Sequence, residues 1–400
     1  MKVLMLGWEL PPHNSGGLGV ACWQLCKALA QKGIDIEFVL PYEADHDADF
    51  MRINSVPSNI KLQYGQYLDS YDSATYNQYS MAVPSQMQTA HAHYEATVVQ
   101  LAESIEFDII HAHDWLTFRA GLKAREISGK PLLVHVHSIE SDRAGGNSGN
   151  PLVREIESLT FLLADKILAV SNHTKQAISS EYGIPLDKID VVHNSYDADS
   201  IEPLSNETAY AYLETMKSHG YKVIVNVGRL TLQKNIPNLL KAAKEVVFRA
   251  PKTLFLIVGT GEQDYELIEL AASLGISQNV IFTGFLRGKN LRDAFAIGDL
   301  FVMPSISEPF GLTPLEAASY GTASLVSRQS GVSEVFQSCL KVDFWDVNEM
   351  ANQIAGAVQT SSLTRQMVAS AQLELQRLSW DTTADKVVSL YQEHNQKVPA

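Results

Sequence analysis

Short apolar runs alternate along this chain with longer stretches of helical periodicity, and that alternation restricts the fold to parallel α/β architecture. In the first half the runs lie near residues 3–6, 34–40, 109–113, 132–137, 166–170 and 189–193. In the second half they lie near 223–227, 254–258, 280–283, 300–303, 323–327 and 339–342. Six runs in each half predict two Rossmann-like domains, a division that 400 residues suit. No residue-level self-similarity links the halves. The expected boundary is the polar, proline-bearing segment 197–206. Residues 1–200 then form an N-terminal domain and 201–378 a C-terminal one. Residues 379–400 form a tail whose amphipathic part, 380–391, is expected to return to the first domain. Two segments read as irregular, 63–90 and the glycine-rich 144–150. Each suits a substrate contact or a plain surface loop.

Composition narrows the function classes. Apolar residues make up 46% and charged residues 19%, as in an ordinary globular protein with a large core. A net charge of −14 argues against nucleic acid or an acidic membrane as a general partner. Peripheral membrane contact stays open. Arg119, Lys123, Arg125 and Lys130 read as one solvated helix face. The three cysteines, Cys22, Cys26 and Cys339, have neither metal-ligand spacing nor the even count of a disulfide framework. A reducing, cytoplasmic setting is expected. The N-terminus reads as a strand rather than a signal peptide, and no apolar run reaches membrane-spanning length.

The most informative motif is Ser307-Glu308-Pro309-Phe310-Gly311-Leu312-Thr313-Pro314-Leu315-Glu316, directly after a buried-looking strand. Pro309, Gly311 and Pro314 forbid one continuous helix between the two carboxylates. Glu308 therefore sits on a loop at a strand's carboxyl end. Thr313 to Glu316 reads as a helix start, with Thr313 at N-cap, Pro314 at N1 and Glu316 at N3 of a capping box. Free amides there suit a phosphate or sugar oxygen, and Glu308 can accept hydrogen bonds from sugar hydroxyls. Gly228-Arg229 followed by Lys234 places two cations on another strand-to-helix loop. Arg229 can fork onto phosphate oxygens and Lys234 can act as a point charge. Gly259 and Gly261 form a G-x-G turn that suits a nucleotide or simply a tight turn.

In the first half, Ser15-Gly16-Gly17-Leu18-Gly19 opens a helix after the first strand, and its glycines allow close approach of a ligand phosphate. His111-Ala112-His113-Asp114-Trp115 and His135-Val136-His137-Ser138 end two adjacent strands. Ligands of doubly wound sheets bind at strand carboxyl ends, which selects Asp114 and His137 as site members. His111 and His135 are expected to be packed. Asp45-His46-Asp47-Ala48-Asp49 lacks the glycine and the final glutamate of a calcium loop and reads as a solvated acidic loop.

Together these residues resemble the GT-B glycosyltransferases, specifically glycosyltransferase family 4 and its glycogen and starch synthase relatives, over nearly the whole chain. The carriers are the E-x7-E pair Glu308 and Glu316, the segment from Gly228 through Lys234, the H-A-H-D-W run at 111–115, His137 and Gly16-Gly17-Leu18. Asn14-Ser15 stands where bacterial glycogen synthases carry Lys-Thr, and Glu316 where they often carry Gln. Both departures shift the expected donor from ADP-glucose toward a UDP- or GDP-sugar.

The resemblance implies a retaining, metal-independent hexosyltransferase with no cofactor. It implies a nucleotide-sugar donor, with UDP-glucose the first expectation, and a saccharide or other hydroxyl acceptor. It places the nucleotide in the second domain, the acceptor in the first and the reaction in the crevice between them. Catalytic roles fall to His137, Glu308, Arg229, Lys234 and Asp114. Donor contacts fall to Gly17, Gly228, Arg229, Lys234, Gly259, Gly261, Glu308, Phe310, Gly311, Leu312, Thr313 and Glu316. Glu308 would touch the sugar hydroxyls and Glu316 the ribose, unless capping occupies the latter. The same fold hosts sugar-nucleotide 2-epimerases, ADP-glucose-dependent glucan synthases and pyridoxal-phosphate phosphorylases, and a two-lobed sugar-binding protein is a further alternative.

Overall fold

The computed structural model describes residues 1–13, 16–43, 45–56, 85–197, 201, 203–204 and 207–396. Asn14, Ser15, most of the segment 63–90 and part of the expected linker 197–206 lie outside the described residues. The end of the segment expected to be irregular instead begins a helix, Ser85–Ser104. The chain divides into two compact units. One comprises Met1–Arg143, Asn147–Ser195 and Ser379–Ala400; the other comprises Ala144–Gly146 and Tyr196–Leu378.

The first unit holds seven strands: β1 Lys2–Leu6, β2 Asp35–Leu40, β3 Arg52–Ser55, β4 Ile109–His113, β5 Leu132–Val136, β6 Lys166–Ala169 and β7 Ile189–Val191. Their order is β3-β2-β1-β4-β5-β6-β7, with every ladder parallel. The second unit holds β8 Lys222–Val227, β9 Thr253–Val258, β10 Val280–Phe282, β11 Leu300–Met303, β12 Ala323–Ser327 and β13 Leu340–Val342. Their order is β10-β9-β8-β11-β12-β13, again all parallel. The expected count of six and six is thus corrected to seven and six. β3, Arg-Ile-Asn-Ser, is a polar edge strand without an apolar run. It is fixed from β2 instead: Glu37 pairs with Arg52, accepts from Asn54 Nδ2 at 2.9 Å and pairs with Lys2 Nζ at 2.9 Å.

Strand pleat sorts the first sheet's side chains into two layers. Leu4 and Leu6 pack with Ile110, Ala112, Val134 and Val136 on one face. Val3 and Met5 pack with Ile109 and Leu133 on the other, where helices Gly17–Gln31 and Trp380–Asn395 cover the sheet. The same pleat therefore turns His111 and His113 of β4, and His135 of β5, toward those two helices. In the second unit, Ile224, Phe255, Ile257, Leu300, Val302 and Leu325 pack beneath helices Ile236–Arg249 and Val347–Gln359.

Helix Trp380–Asn395 buries Trp380, Ala384, Val387, Leu390 and Tyr391 in the first unit's core. Ser379 caps it by accepting from the Thr382 amide at 3.3 Å. Thr383 Oγ1 donates to the His193 carbonyl at 3.1 Å. Among the described residues, no helix is long and apolar enough to cross a membrane.

Burial of this helix should be a large part of the first unit's stability. Trp380 is 7% exposed, and truncating a buried aromatic to alanine costs about 3–5 kcal/mol. Urea unfolding of Trp380→Ala should show a loss of that order. A loss below about 1 kcal/mol would mean that the helix is not anchored by its apolar face.

Candidate active site

In each sheet the strand order reverses at one place: between β1 and β4 in the first unit, and between β8 and β11 in the second. Loops leaving the two strands at such a point diverge to opposite faces and open a concave site at their carboxyl ends. The sequence candidates cluster at these two points.

In the second unit, β8 runs into Gly228 and Arg229, then a short 3-10 turn, Leu232–Lys234. Two side chains that motif reading passed over fasten this loop to the loop after β11. Gln233 Nε2 donates to the Ser307 carbonyl at 2.9 Å, while the Ile306 amide donates to the Gln233 carbonyl at 2.9 Å. Asn235 adopts a left-handed conformation, φ 56°, that Asn tolerates better than most residues. Its Nδ2 donates to the Pro304 and Phe344 carbonyls at 3.0 and 2.9 Å. The result brings Lys234 Nζ to 2.5 Å from Glu308 Oε2, which also accepts from Ser305 Oγ at 2.9 Å. The cation and the carboxylate nominated separately by sequence thus form one ion pair. Arg229 is half-buried, and its guanidinium has no hydrogen-bond or ion-pair partner among the described residues.

The loop carrying Glu308 is held by backbone bonds to the loop after β12. The Glu308 amide donates to Gln329, the Gly331 amide to Glu308, and the Val332 amide to Phe310, at 2.7–2.9 Å. Gly311 has φ 95°, and a Cβ there would lie 2.8 Å from Met303 Cε and 3.1 Å from Glu308 Cγ. Glycine is therefore required by both conformation and space. The amides of Gly311, Leu312 and Thr313 make no backbone hydrogen bond among the described residues.

One expectation changes. The capping box does not form: the helix is Thr313–Ser319, Leu312 holds the N-cap position, and no side chain caps it. Thr313 is already helical, so its hydroxyl cannot reach back to its own turn, and Glu316 is released from capping. Burial raises the Glu316 carboxyl to about 7. The Phe310 ring is 3% exposed, so it packs the loop rather than presenting a face to a ligand. Gly259 and Gly261 answer to backbone packing. A Cβ on Gly259 would lie 1.8 Å from the Gly228 carbonyl oxygen, and one on Gly261 would lie 2.3 Å from that of Leu230. The two loops interlock there, with Leu230 donating to Thr260 and Gln263 to Leu230, both at 3.0 Å.

In the first unit, Asp114 leaves β4 with φ 57°, a strained value for a non-glycine residue. The turn aims its buried carboxylate at the end of β5, where Oδ1 accepts from the amides of His137 at 2.7 Å and Ser138 at 3.3 Å. Burial raises this carboxyl to about 7; Arg143 and the two amides oppose the rise. Arg143 in turn donates to the Ser138 carbonyl and hydroxyl at 2.8 and 2.7 Å. Asp114 thus holds the His137 turn through two backbone amides. His137 Nε2 lies 2.9 Å from His113 Nδ1. The rings of His111 and His113, and of His135 and His137, stack with centroids 4.5 and 4.6 Å apart. His111 Nδ1 meets Tyr391 Oη at 2.5 Å, and its Nε2 meets His135 Nδ1 at 3.3 Å. Burial lowers all four imidazoles, His137 to about 3, so the stack is neutral at physiological pH. Two sets of ligand atoms lie within 4.8 Å of one another, Cys22/His113/His137 and His111/His113/His135. Sequence spacing could not reveal the first set, because Cys22 comes from a helix, His113 from β4 and His137 from the turn after β5.

The remaining candidates resolve simply. Gly17 begins the first helix, and Glu9 Oε1 accepts from the Gly19 amide at 3.2 Å, so a carboxylate already occupies part of that helix N-terminus. Asp45, Asp47 and Asp49 are exposed and belong to no metal-like group among the described residues. Arg119 and Lys123 share Glu95, and Arg125 pairs with Asp165, so three of the four cations have an acidic partner.

The family model Glycosyltransferase Family 4 matches residues 15–200, and Glycosyl transferases group 1 matches residues 214–373. The chain therefore carries a Family 4 glycosyltransferase domain followed by a group 1 glycosyltransferase domain. An uncharacterised glycosyltransferase of Methanocaldococcus jannaschii is 27% identical, with 98% of each chain covered. A D-inositol 3-phosphate glycosyltransferase of Rhodococcus erythropolis is 28% identical over 95% of this chain and 87% of its own. Among solved structures, Anabaena HepE in complex with UDP and glucose superposes with a TM-score of 0.72 at 21% identity, over 98% of this chain and 100% of that one. The two parallel sheets with their helices are the GT-B fold.

In this glycosyltransferase the state of Glu316 is open to a direct test. A carboxyl raised in the folded protein holds its proton more tightly there than in the unfolded chain. That contribution to stability is complete below the ordinary Glu range and is lost as pH rises through about 7. The stability difference between Glu316→Gln and wild type should therefore move in the variant's favour between about pH 5 and pH 8. A difference that stays constant across that window would mean that the carboxyl is solvated.

Proposed function

We propose that the chain is a retaining hexosyltransferase that takes a nucleotide-diphosphate sugar, UDP-glucose first, and glycosylates a saccharide or other hydroxyl acceptor in polysaccharide or glycoconjugate synthesis. The observation that carries this reading is the grouping at the carboxyl ends of β8 and β11: an Arg229 guanidinium with no partner among the described residues, the Lys234–Glu308 pair, and the amides of Gly311, Leu312 and Thr313, which make no backbone hydrogen bond among those residues. Cations and amides suit a diphosphate; a carboxylate beside them suits sugar hydroxyls. HepE, whose complex holds UDP and glucose, supports the choice of donor. The Rhodococcus enzyme's D-inositol 3-phosphate supports keeping a small polyol among the acceptors. Relatives named as transferases favour transfer over 2-epimerisation.

The difficult step is departure of the sugar from the diphosphate. As the anomeric bond breaks, negative charge grows on the leaving phosphate oxygen. Arg229 and Lys234 stand ready to stabilise it, and one such fixed donor is worth ~10²–10³ in kcat. Lys234 has three donors, so it can keep Glu308 oriented while engaging phosphate. Glu308 then accepts from the sugar hydroxyls, and Glu316, freed from capping, accepts from the ribose. With no side chain assigned as nucleophile, the acceptor attacks from the face that the diphosphate leaves, which retains the anomeric configuration.

Two measurements test this. Glu308→Gln should lower kcat by roughly 10²-fold or more and leave UDP affinity equal or tighter, because Lys234 is then relieved of its counter-ion. A variant with the wild-type transfer rate would remove Glu308 from the donor site. Transfer should also persist in excess EDTA, since Arg229 and Lys234 supply the charge that a metal supplies elsewhere. Loss of activity with EDTA, restored by magnesium or manganese, would contradict the proposed division of labour.

A further inference from the structure

We infer that Cys22, His113 and His137 form a binding site for a single thiophilic metal ion of the zinc class. One ligand atom from each lies within 4.8 Å of the others. A tetrahedral ion with bonds of about 2.0–2.3 Å holds its ligand atoms roughly 3.3–3.8 Å apart, a contraction within reach of side-chain rotation. The donor set is one thiolate and two imidazoles, which selects zinc-like and copper(I)-like ions over magnesium or calcium. Met5 Sδ lies 3.1 Å from His113 Nε2 and adds a soft wall to the same pocket.

The elements that build the cluster are rigid. β4 and β5 pair in register through His113 and His135, which fixes the spacing of the imidazoles that follow. Asp114 anchors the His137 amide. The helix carrying Cys22 packs on the same face of the sheet through Ala21, Leu25 and Leu29. The His137 Nδ1 atom is buried and has no hydrogen-bond partner among the described residues, which leaves a buried polar atom unsatisfied. Burial keeps both imidazoles neutral, so each has one ring lone pair, and binding draws on the pair now shared in the 2.9 Å contact between His113 Nδ1 and His137 Nε2. Burial also keeps the Cys22 thiol protonated. Binding therefore replaces the S–H bond with an S–metal bond and releases one proton to solvent.

The rival group, His111/His113/His135, is a poorer site. His111 is committed to Tyr391 and His135 through both ring nitrogens. All three rings are buried at 0–1% exposure, whereas His137 is partly exposed and gives an ion access from solvent. This inference concerns metal binding and does not depend on the assignment of donor or acceptor.

Cobalt(II) is the probe, because a sulfur-to-cobalt charge-transfer band reports thiolate ligation directly. Titration of the full-length protein should produce that band with an end point of one equivalent, and zinc should abolish it by competition. Cys22→Ser should lose the band and bind cobalt at least tenfold more weakly. Cys26→Ser, one helical turn away and outside the cluster, should keep both. Cys22→Ala and a circular-dichroism melt of each variant distinguish a lost ligand from a lost fold. Absence of the band in wild type at saturating cobalt would overturn the inference. So would a band that survives in folded Cys22→Ser or Cys22→Ala, since the sulfur would then come from another cysteine.

Discussion

Because every ladder in both sheets is parallel, each strand must be followed by a crossover, and all strands of a sheet deliver their carboxyl ends to one edge. Chemistry-bearing residues far apart in sequence meet for that reason. Gly228 and Arg229 leave β8 at the edge where Ser305 and Glu308 leave β11, and Asp114 leaves β4 beside the end of β5. The reversal of strand order then leaves the loops at β8/β11 and β1/β4 room to form a site. The glycines complete the arrangement. Gly259 and Gly261 let one loop lie directly on the backbone of its neighbour, and Gly311 lets the Glu308 loop turn beneath Met303.

Electrostatics in the two units follow different rules. In the second unit charge is kept and neutralised locally: Lys234 and Glu308 hold each other at 2.5 Å while Arg229 remains unpartnered among the described residues. That combination can accept a dianion without leaving an isolated carboxylate. In the first unit Arg143 makes buried ion pairs with Glu140 and Glu157, while the histidines at the strand ends carry no charge. Four stacked imidazoles are driven neutral by burial, and Asp114 is raised to about 7 although two amides and Arg143 favour its ionised form. A neutral His137 is a hydrogen-bonding group rather than a counter-ion.

Much of this was legible in the sequence. Twelve of the thirteen strands could be placed to within a residue or two because each is a compact apolar run, and Glu308, Arg229 and Lys234 stood out by their place after such runs. What was hidden had a physical cause in each instance. β3 is polar and owes its place to Glu37 on the neighbouring strand. The Thr313–Glu316 spacing mimics a capping box, but Gly311 and Phe310, pinned by the Val332 amide, start the helix one residue early. Gln233 and Asn235 look like ordinary loop residues until the loop after β11 supplies their acceptors. The Cys22–His113–His137 cluster and the Tyr391–His111 contact join residues 91 and 280 positions apart in sequence, distances over which local spacing carries no information.

The central claim is that Arg229 and Lys234 receive the donor's diphosphate. Calorimetric titration of UDP into wild type, Arg229→Ala and Lys234→Ala tests it directly. Loss of one charge-assisted contact should weaken binding by about 1.5–3 kcal/mol in each variant, with the fold retained. UDP affinity unchanged in both variants would contradict the account.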